Sequence, residues 1–126
     1  MSRNVDQIAK DFPVLFRKKI DLAIGEGWYQ LVYDLATGIT LEAQKRCIPI
    51  DSDTYPWVRQ VKEKFGALRF YMSCANAEMR TLVETAEEQS YTICEQCGEP
   101  GEIRCESWRH VACDTCEEKI KQGRCR

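Results

Sequence analysis

An α+β fold is predicted for this chain: a mainly helical body, a short strand near residues 67–72, and a C-terminal β-hairpin bearing paired cysteines. Three observations predict it. Trp28, Leu31, Val32, Leu35 and Ile39 recur at the helical period. Leu68, Phe70 and Met72 alternate with Arg69 and Tyr71, as the residues of a half-buried strand do. Two Cys-x2-Cys pairs, Cys94/Cys97 and Cys113/Cys116, are separated by fifteen residues. The expected division is a body over residues 1–90 and a cysteine module over residues 91–126.

Taken in order, Asn4 can cap a short helix carrying Val5, Ile8 and Phe12. Pro13 suits the first turn of a second helix, with Asp11 upstream and Leu15, Phe16 and Ile20 inside. Arg17, Lys18 and Lys19 would be a solvated basic run on it. Gly25 and Gly27 precede the Trp28 helix, which should end between Gly38 and Arg46. Residues 48–56 are rich in turn formers, and capping accounts for Asp51 and Asp53.

Residues 57–66 are ambiguous. As a strand they place Trp57, Val61 and Phe65 on one face, together with Arg59 and Glu63. As a helix they gather Trp57, Val58, Val61 and Phe65 into one stripe and leave every other position polar. Pro56 before it and Gly66 after it agree with a helix, which is the expectation. Beyond the strand at 67–72, Asn76 can cap a helix whose buried stripe is Met79, Leu82, Val83 and Ala86.

With 126 residues, 44% hydrophobic and 30% charged, the chain has the composition of a globular protein with a modest core. No apolar run approaches the ~20 residues of a membrane-spanning helix, and the first residues lack a secretory layout. A cytoplasmic protein in a reducing compartment is expected, with no membrane partner. Eight cysteines there point to metal and away from disulfides.

The two pairs have the spacing of a zinc ribbon. Zn2+ takes four tetrahedral ligands, and two cysteines separated by two residues reach one ion from a single tight turn. Gly98 suits the first turn because glycine accepts positive φ. The fifteen residues between the pairs can form a hairpin, with strands near Glu102 and Arg109 and its bend near Ser107 and Trp108. One structural zinc held by Cys94, Cys97, Cys113 and Cys116 is expected. Four thiolates close the sphere and leave a net negative complex with no position for substrate. Iron held as in rubredoxin is the alternative occupant, and a thioredoxin-like role for either pair ranks below both. Cys47, Cys74 and Cys105 read as small core residues and Cys125 as an exposed thiol. His110, the single histidine, reads as a packed or surface hairpin residue; a ligand role for it or for Cys105 stays open.

The net charge of −2 excludes a whole-chain electrostatic footprint for nucleic acid. Charge is unevenly spread, however. In residues 55–71 four cations (Arg59, Lys62, Lys64 and Arg69) meet one acid, Glu63, whereas residues 72–93 hold Arg80 against Glu78, Glu84, Glu87 and Glu88. The four cations interleave with Tyr55, Trp57, Phe65, Phe70 and Tyr71 and could form a nucleic-acid surface. Most of these aromatics fall on expected buried stripes, which favours the core for them. No Gly-rich phosphate loop, Ser-His-Asp set or paired-carboxylate motif is present, so neither an enzyme nor a small-molecule substrate is expected.

Two stretches, VKEKFGALRFY (residues 61–71) and SYTICEQCGEPG (residues 90–101), together with Gly27 and Trp28, resemble a family of short, largely uncharacterised proteins encoded by phages, prophages and bacteria. The resemblance spans most of the chain. It implies the helical body, the strand and a zinc-binding C-terminus, and brings no activity or substrate. Members of that family often keep a histidine in the last metal position, where this chain has Cys116. The leading expectation is a non-enzymatic, zinc-bearing accessory protein of phage type that engages a host protein, for instance to inhibit a defence or regulatory system. A nucleic-acid-binding regulator using residues 55–71 and the ribbon is the second.

Overall fold

The computed structural model describes residues 4–105 and 108–124. Its elements are α1 (Asp6–Asp11), β1 (Leu22–Ala23), α2 (Tyr29–Lys45), β2 (Trp57–Lys64), β3 (Ala67–Ser73), α3 (Ala77–Gln89), β4 (Glu102–Arg104), β5 (His110–Ala112) and α4 (Asp114–Arg124). Short 310 turns precede α2 (Glu26–Trp28) and follow α3 (Ser90–Thr92). The architecture is α+β. One sheet runs β1-β2-β3, parallel then antiparallel, and β4 and β5 form a separate antiparallel pair.

The core forms where the apolar stripes meet. Helix α2 buries Leu31, Val32, Leu35, Ala36 and Ile39, and α3 buries Met79 and Ala86. The sheet adds Leu22, Val58, Val61, Leu68 and Phe70, and Trp28 is fully enclosed among them. Gly38, costly inside a helix, lies where α2 meets α3: a Cβ there would press on Leu82 at 3.3 Å. Asn76 caps α3 as expected, its Oδ1 accepting the Met79 N–H at 2.8 Å. Leu82 and Val83, expected inside, are only partly covered.

Three local expectations are corrected. Residues 57–64 are strand β2, not helix, and the reason is a β-bulge between Val58 and Gln60. The extra residue shifts the side-chain alternation, so Val58 and Val61 both face the core although they are three apart. That spacing imitates a helical stripe. Pro13 starts no helix. A single Phe16 N–H to Phe12 C=O turn forms, and Val58 N–H then bonds to Leu15 C=O at 2.8 Å. Arg17 is exposed, as expected of the basic run, but its guanidinium also donates to the carbonyls of Val14, Tyr55 and Pro56 and so ties the two segments together. Asn4 does not cap α1 with its side chain. The Glu26 carboxylate takes the backbone N–H groups of Asn4 and Val5 at 2.8 and 3.0 Å.

Cys47, Cys74 and Cys105 are exposed rather than core residues. Cys47 follows α2 and Cys74 follows β3, each in the left-handed region where an element ends (φ 57° and 64°). Cys125 lies outside the described residues, as does Ser107 of the expected bend.

The connection between β2 and β3 has only two residues. Phe65 and Gly66 turn the chain with φ 55° and 89° between the paired Lys64 and Ala67. Such a turn favours Asn or Gly at its first position. A phenylalanine held there costs roughly 1–2 kcal/mol. The outer edge of β3 is closed by α3 and the 310 turn after it: Leu68 N–H donates to Ser90 Oγ and Phe70 N–H to the Glu87 carboxylate. This edge is therefore not free to pair with another strand.

Candidate metal centre

The first cysteine pair sits in a tight knuckle. Cys94 N–H bonds to Glu99 C=O at 2.8 Å, Gly98 N–H to Cys94 C=O at 2.9 Å, and Gly101 N–H to Thr92 C=O at 3.0 Å. Gly98 has φ 86°, the left-handed conformation its position requires. The second pair is supplied by a helix. Cys113 directly precedes α4 and Cys116 lies in its first turn, where the Cys116 N–H points at Cys113 Sγ over 3.4 Å. Helix N-termini favour negative charge, and thiolates there gain from it. The β4–β5 hairpin links the two pairs, and Glu95 N–H bonds to Val111 C=O at 3.1 Å to seat the knuckle on β5.

All four sulfurs lie within 4.8 Å of one another. Cys97 Sγ and Cys113 Sγ are 3.6 Å apart. A disulfide would need ~2.05 Å. Four sulfurs placed ~2.3 Å from one tetrahedral ion stand about 3.8 Å apart, so this spacing suits a metal between them. Cys94 is buried, Cys113 and Cys116 are half-buried, and Cys97 is exposed.

The thiols are not equivalent. Burial pushes the Cys94 pKa up, but N–H groups of Cys113, Cys97 and Gln96 aimed at its sulfur outweigh it, and the value falls to about 7. Cys116 is pushed up to about 12, first by burial and then by its hydrogen bonds with the other three thiols. The Glu99 backbone N–H lowers Cys97, yet burial and the Cys113 and Cys94 thiols together raise it. Crowded thiols resist collective ionisation, and a divalent cation among them would reverse that.

Neither His110 nor Cys105 belongs to the sulfur cluster. His110 is buried and engaged at both ring nitrogens: Nδ1 lies 2.9 Å from the Trp108 carbonyl and Nε2 2.7 Å from Glu117. That carbonyl can only accept, so Nδ1 is the donor. The hydrogen bond from His110 holds the Glu117 carboxyl below its ordinary value. This pair ties β5 to α4 just behind the second cysteine pair. Across the hairpin, Arg104 donates to the Ala112 carbonyl and to Asp114 in the first turn of α4.

Sequence reasoning missed the seam between knuckle and body. Gly27 N–H bonds to Glu95 C=O at 2.7 Å, Gly25 N–H to the Glu95 carboxylate at 2.9 Å, and Trp28 Nε1–H to Ile93 C=O at 2.9 Å. A Cβ on Gly27 would collide with the Cys94 carbonyl and Gly98 N, and one on Gly25 with the Glu95 carbonyl. Burial raises the Glu95 pKa even though the Gly25 N–H lowers it. The available signal was the Gly-x-Gly-Trp string, whose glycines permit backbone to approach backbone. Helix α4 was also missed, although Asp114 and Glu117 in its first turn are a helix-start signature.

The four cations of residues 55–71 are only partly brought together. Lys62 and Arg69 are direct cross-strand partners, and the alternation past the bulge puts Lys64 and Tyr71 on the same outer face. Arg59 stands at the bulge instead, in a cleft shared with Arg80, Glu84 and Glu87. Of the interleaved aromatics, Tyr55 and Phe70 are core, Trp57 is half-buried, and Phe65 and Tyr71 are exposed. No helix among the described residues is long and apolar enough to cross a membrane. Comparison with known proteins found no matching family model, no matching curated protein and no matching solved structure.

Proposed function

We propose that Cys94, Cys97, Cys113 and Cys116 hold one structural zinc ion, and that the protein is a non-enzymatic binding module that engages another protein. The observation that carries this reading is the four-sulfur cluster itself, with its sulfurs within 4.8 Å of one another. Four thiolates complete a tetrahedral sphere, so the ion would fix a surface and take no substrate. Zinc is favoured over iron because no glycine follows the second pair: Glu117 stands after Cys116, inside α4. The resemblance of residues 61–71 and 90–101 to phage-encoded proteins makes host proteins the place to seek the partner. Metal analysis should return one zinc per chain. The zinc-loaded protein, passed over nuclease-treated bacterial lysate, should retain one partner in stoichiometric amount; retention of none would overturn the binding role.

A second reading has one observation in its favour: Lys62, Lys64, Arg69 and Tyr71 share the outer sheet face. Single-stranded nucleic acid binds such mixtures of cations and rings. If it is the ligand, a gel shift at ~50 mM salt should show retention that falls steeply as salt rises. No retention there would remove this reading.

A further inference from the structure

Three large apolar side chains sit where the β2–β3 turn meets the cysteine module. Phe65 is 64% exposed, Trp108 45% and Ile103 36%. Gly66 brings two of them together, Phe65 beside it in the turn and Ile103 against it, whereas Trp108 goes with His110 to the opposite face of the hairpin. A Cβ on Gly66 would lie 2.9 Å from Ile103 Cδ1 and within 3.4 Å of the backbone of Arg109 and His110. Trp108 is held in place by its ring stacking on His110 at 4.4 Å. The turn also keeps an aromatic in a left-handed backbone conformation that Asn or Gly would adopt with less strain. Neither folding nor core packing accounts for a phenylalanine there.

Cations flank this patch. Lys64 Nζ stands 5.5 Å from the Phe65 ring centroid, Arg109 is exposed beside Trp108, and Lys62 and Arg69 continue along the outer sheet face. Among the described residues no ion pair engages these four cations. Among the described acids nearby, Glu63 accepts the Gly66 N–H and Glu102 pairs with Arg104.

We propose that Phe65 and Ile103, with Lys64 and Arg109 beside them, form the docking surface for an acidic segment of a partner protein that carries apolar anchors. This rests on the reading that the chain engages a protein. Apolar residues flanked by cations have the layout of a protein interface, in which aromatics anchor and a charged rim orients. Ile103 offers a base no ring to stack on, which sets nucleic acid behind an acidic peptide.

The test is selection of a random displayed peptide library on the zinc-loaded full chain. Affinities of the enriched peptides are then measured by fluorescence anisotropy against the wild type, Phe65→Asn and Ile103→Ala, with a short oligothymidylate as comparison probe. Enriched peptides should combine Asp or Glu with Leu, Phe or Trp. Each variant should weaken their binding about tenfold or more. Phe65→Asn relieves the turn, so it should do this while raising the Tm by a few degrees. Loss of binding in a more stable protein is an outcome that misfolding cannot produce. Enrichment without acidic residues, or oligothymidylate bound more tightly than any peptide, would overturn the proposal. Acidic peptides bound equally by all three proteins would remove this surface and leave the protein-binding role standing. No enrichment at all would count against both.

Discussion

The body and the cysteine module are held by different forces. The body encloses Trp28, Leu22, Ile39, Val58, Val61, Leu68 and Met79, contributed by two helices and a sheet. Among the described module residues, the apolar side chains buried are Val111, Ala112 and Cys94, while Ile103 and Trp108 lie on the surface. Burying one such side chain contributes ~1.5–3 kcal/mol, whereas ordering each residue costs ~1–2 kcal/mol. Hydrophobic burial can therefore sustain the body but not the module. In place of a core the module has the four sulfurs, the His110–Glu117 pair and the Arg104 clamp. The difference teaches that one short chain can join a unit with its own apolar core to one held by polar contacts and a sulfur cluster, provided that the seam is polar and specific.

Removing the metal should separate the two most sharply. Zinc binding is on the order of 10 kcal/mol in small finger peptides. A strong chelator, or Cys97→Ser, is expected to abolish amide protection over residues 94–116 while most of the helical circular dichroism survives. The seam adds a sharper mark: Gly25, Gly27 and Trp28 should lose protection along with the module, since their partners lie at Ile93 and Glu95. Continued protection of residues 94–116 without metal would break the comparison and return attention to disulfides.

Gly27→Ala attacks the seam and leaves both units chemically intact. Because a Cβ there meets Cys94 and Gly98 backbone, a loss of about 2–4 kcal/mol is expected by thermal or urea unfolding, with zinc still bound at one per chain. A loss below about 0.5 kcal/mol would mean that the units merely touch. Trp28→Phe keeps most of the buried ring and removes the bond to Ile93 C=O, so about 1 kcal/mol is expected to be lost.

The smallest effect concerns the body alone. The hydrogen bond from Arg46 and, after the opposing effect of burial, that from Asn76 hold the Glu42 carboxyl below its ordinary value of 4.5. A depressed folded-state pKa stabilises above the unfolded value, and that contribution fades as the pH falls through the folded one. Glu42→Gln should therefore flatten the stability profile below about pH 4.5 and leave zinc binding unchanged. An unaltered profile would show that the pair is only a surface contact.

Elements written in a single unbroken period were legible in the sequence. The stripes of α2 and α3, the alternation of β3 and the spacing of the four cysteines each depend on residues close in the chain. What escaped depends on distant partners or on a break in register. The bulge beside Arg59 turned a strand into an apparent helical stripe. Residues 13–17 lost their helix to bonds with residues 55–58. Phe65 was placed in the core because apolar residues usually go there, yet the two-residue turn pushes it outward. The seam was invisible because no local pattern encodes which carbonyl a Gly-x-Gly backbone will meet.

That seam has a consequence for how the chain is made. Ribosomes add ~5–20 residues each second, so roughly 4–14 s separate the emergence of Gly25 from that of Glu95, 70 positions later. During that interval the backbone donors leading into α2 have no native acceptors, and Glu26, which holds Asn4 and Val5, stands on the same unsupported turn. The N-terminal helix can dock early, but its platform becomes rigid only once the last cysteine pair has emerged and the cluster closes. The N-terminal half thus receives its final fastening from the second cysteine pair, at a moment set by translation and, with the proposed zinc, by the supply of metal.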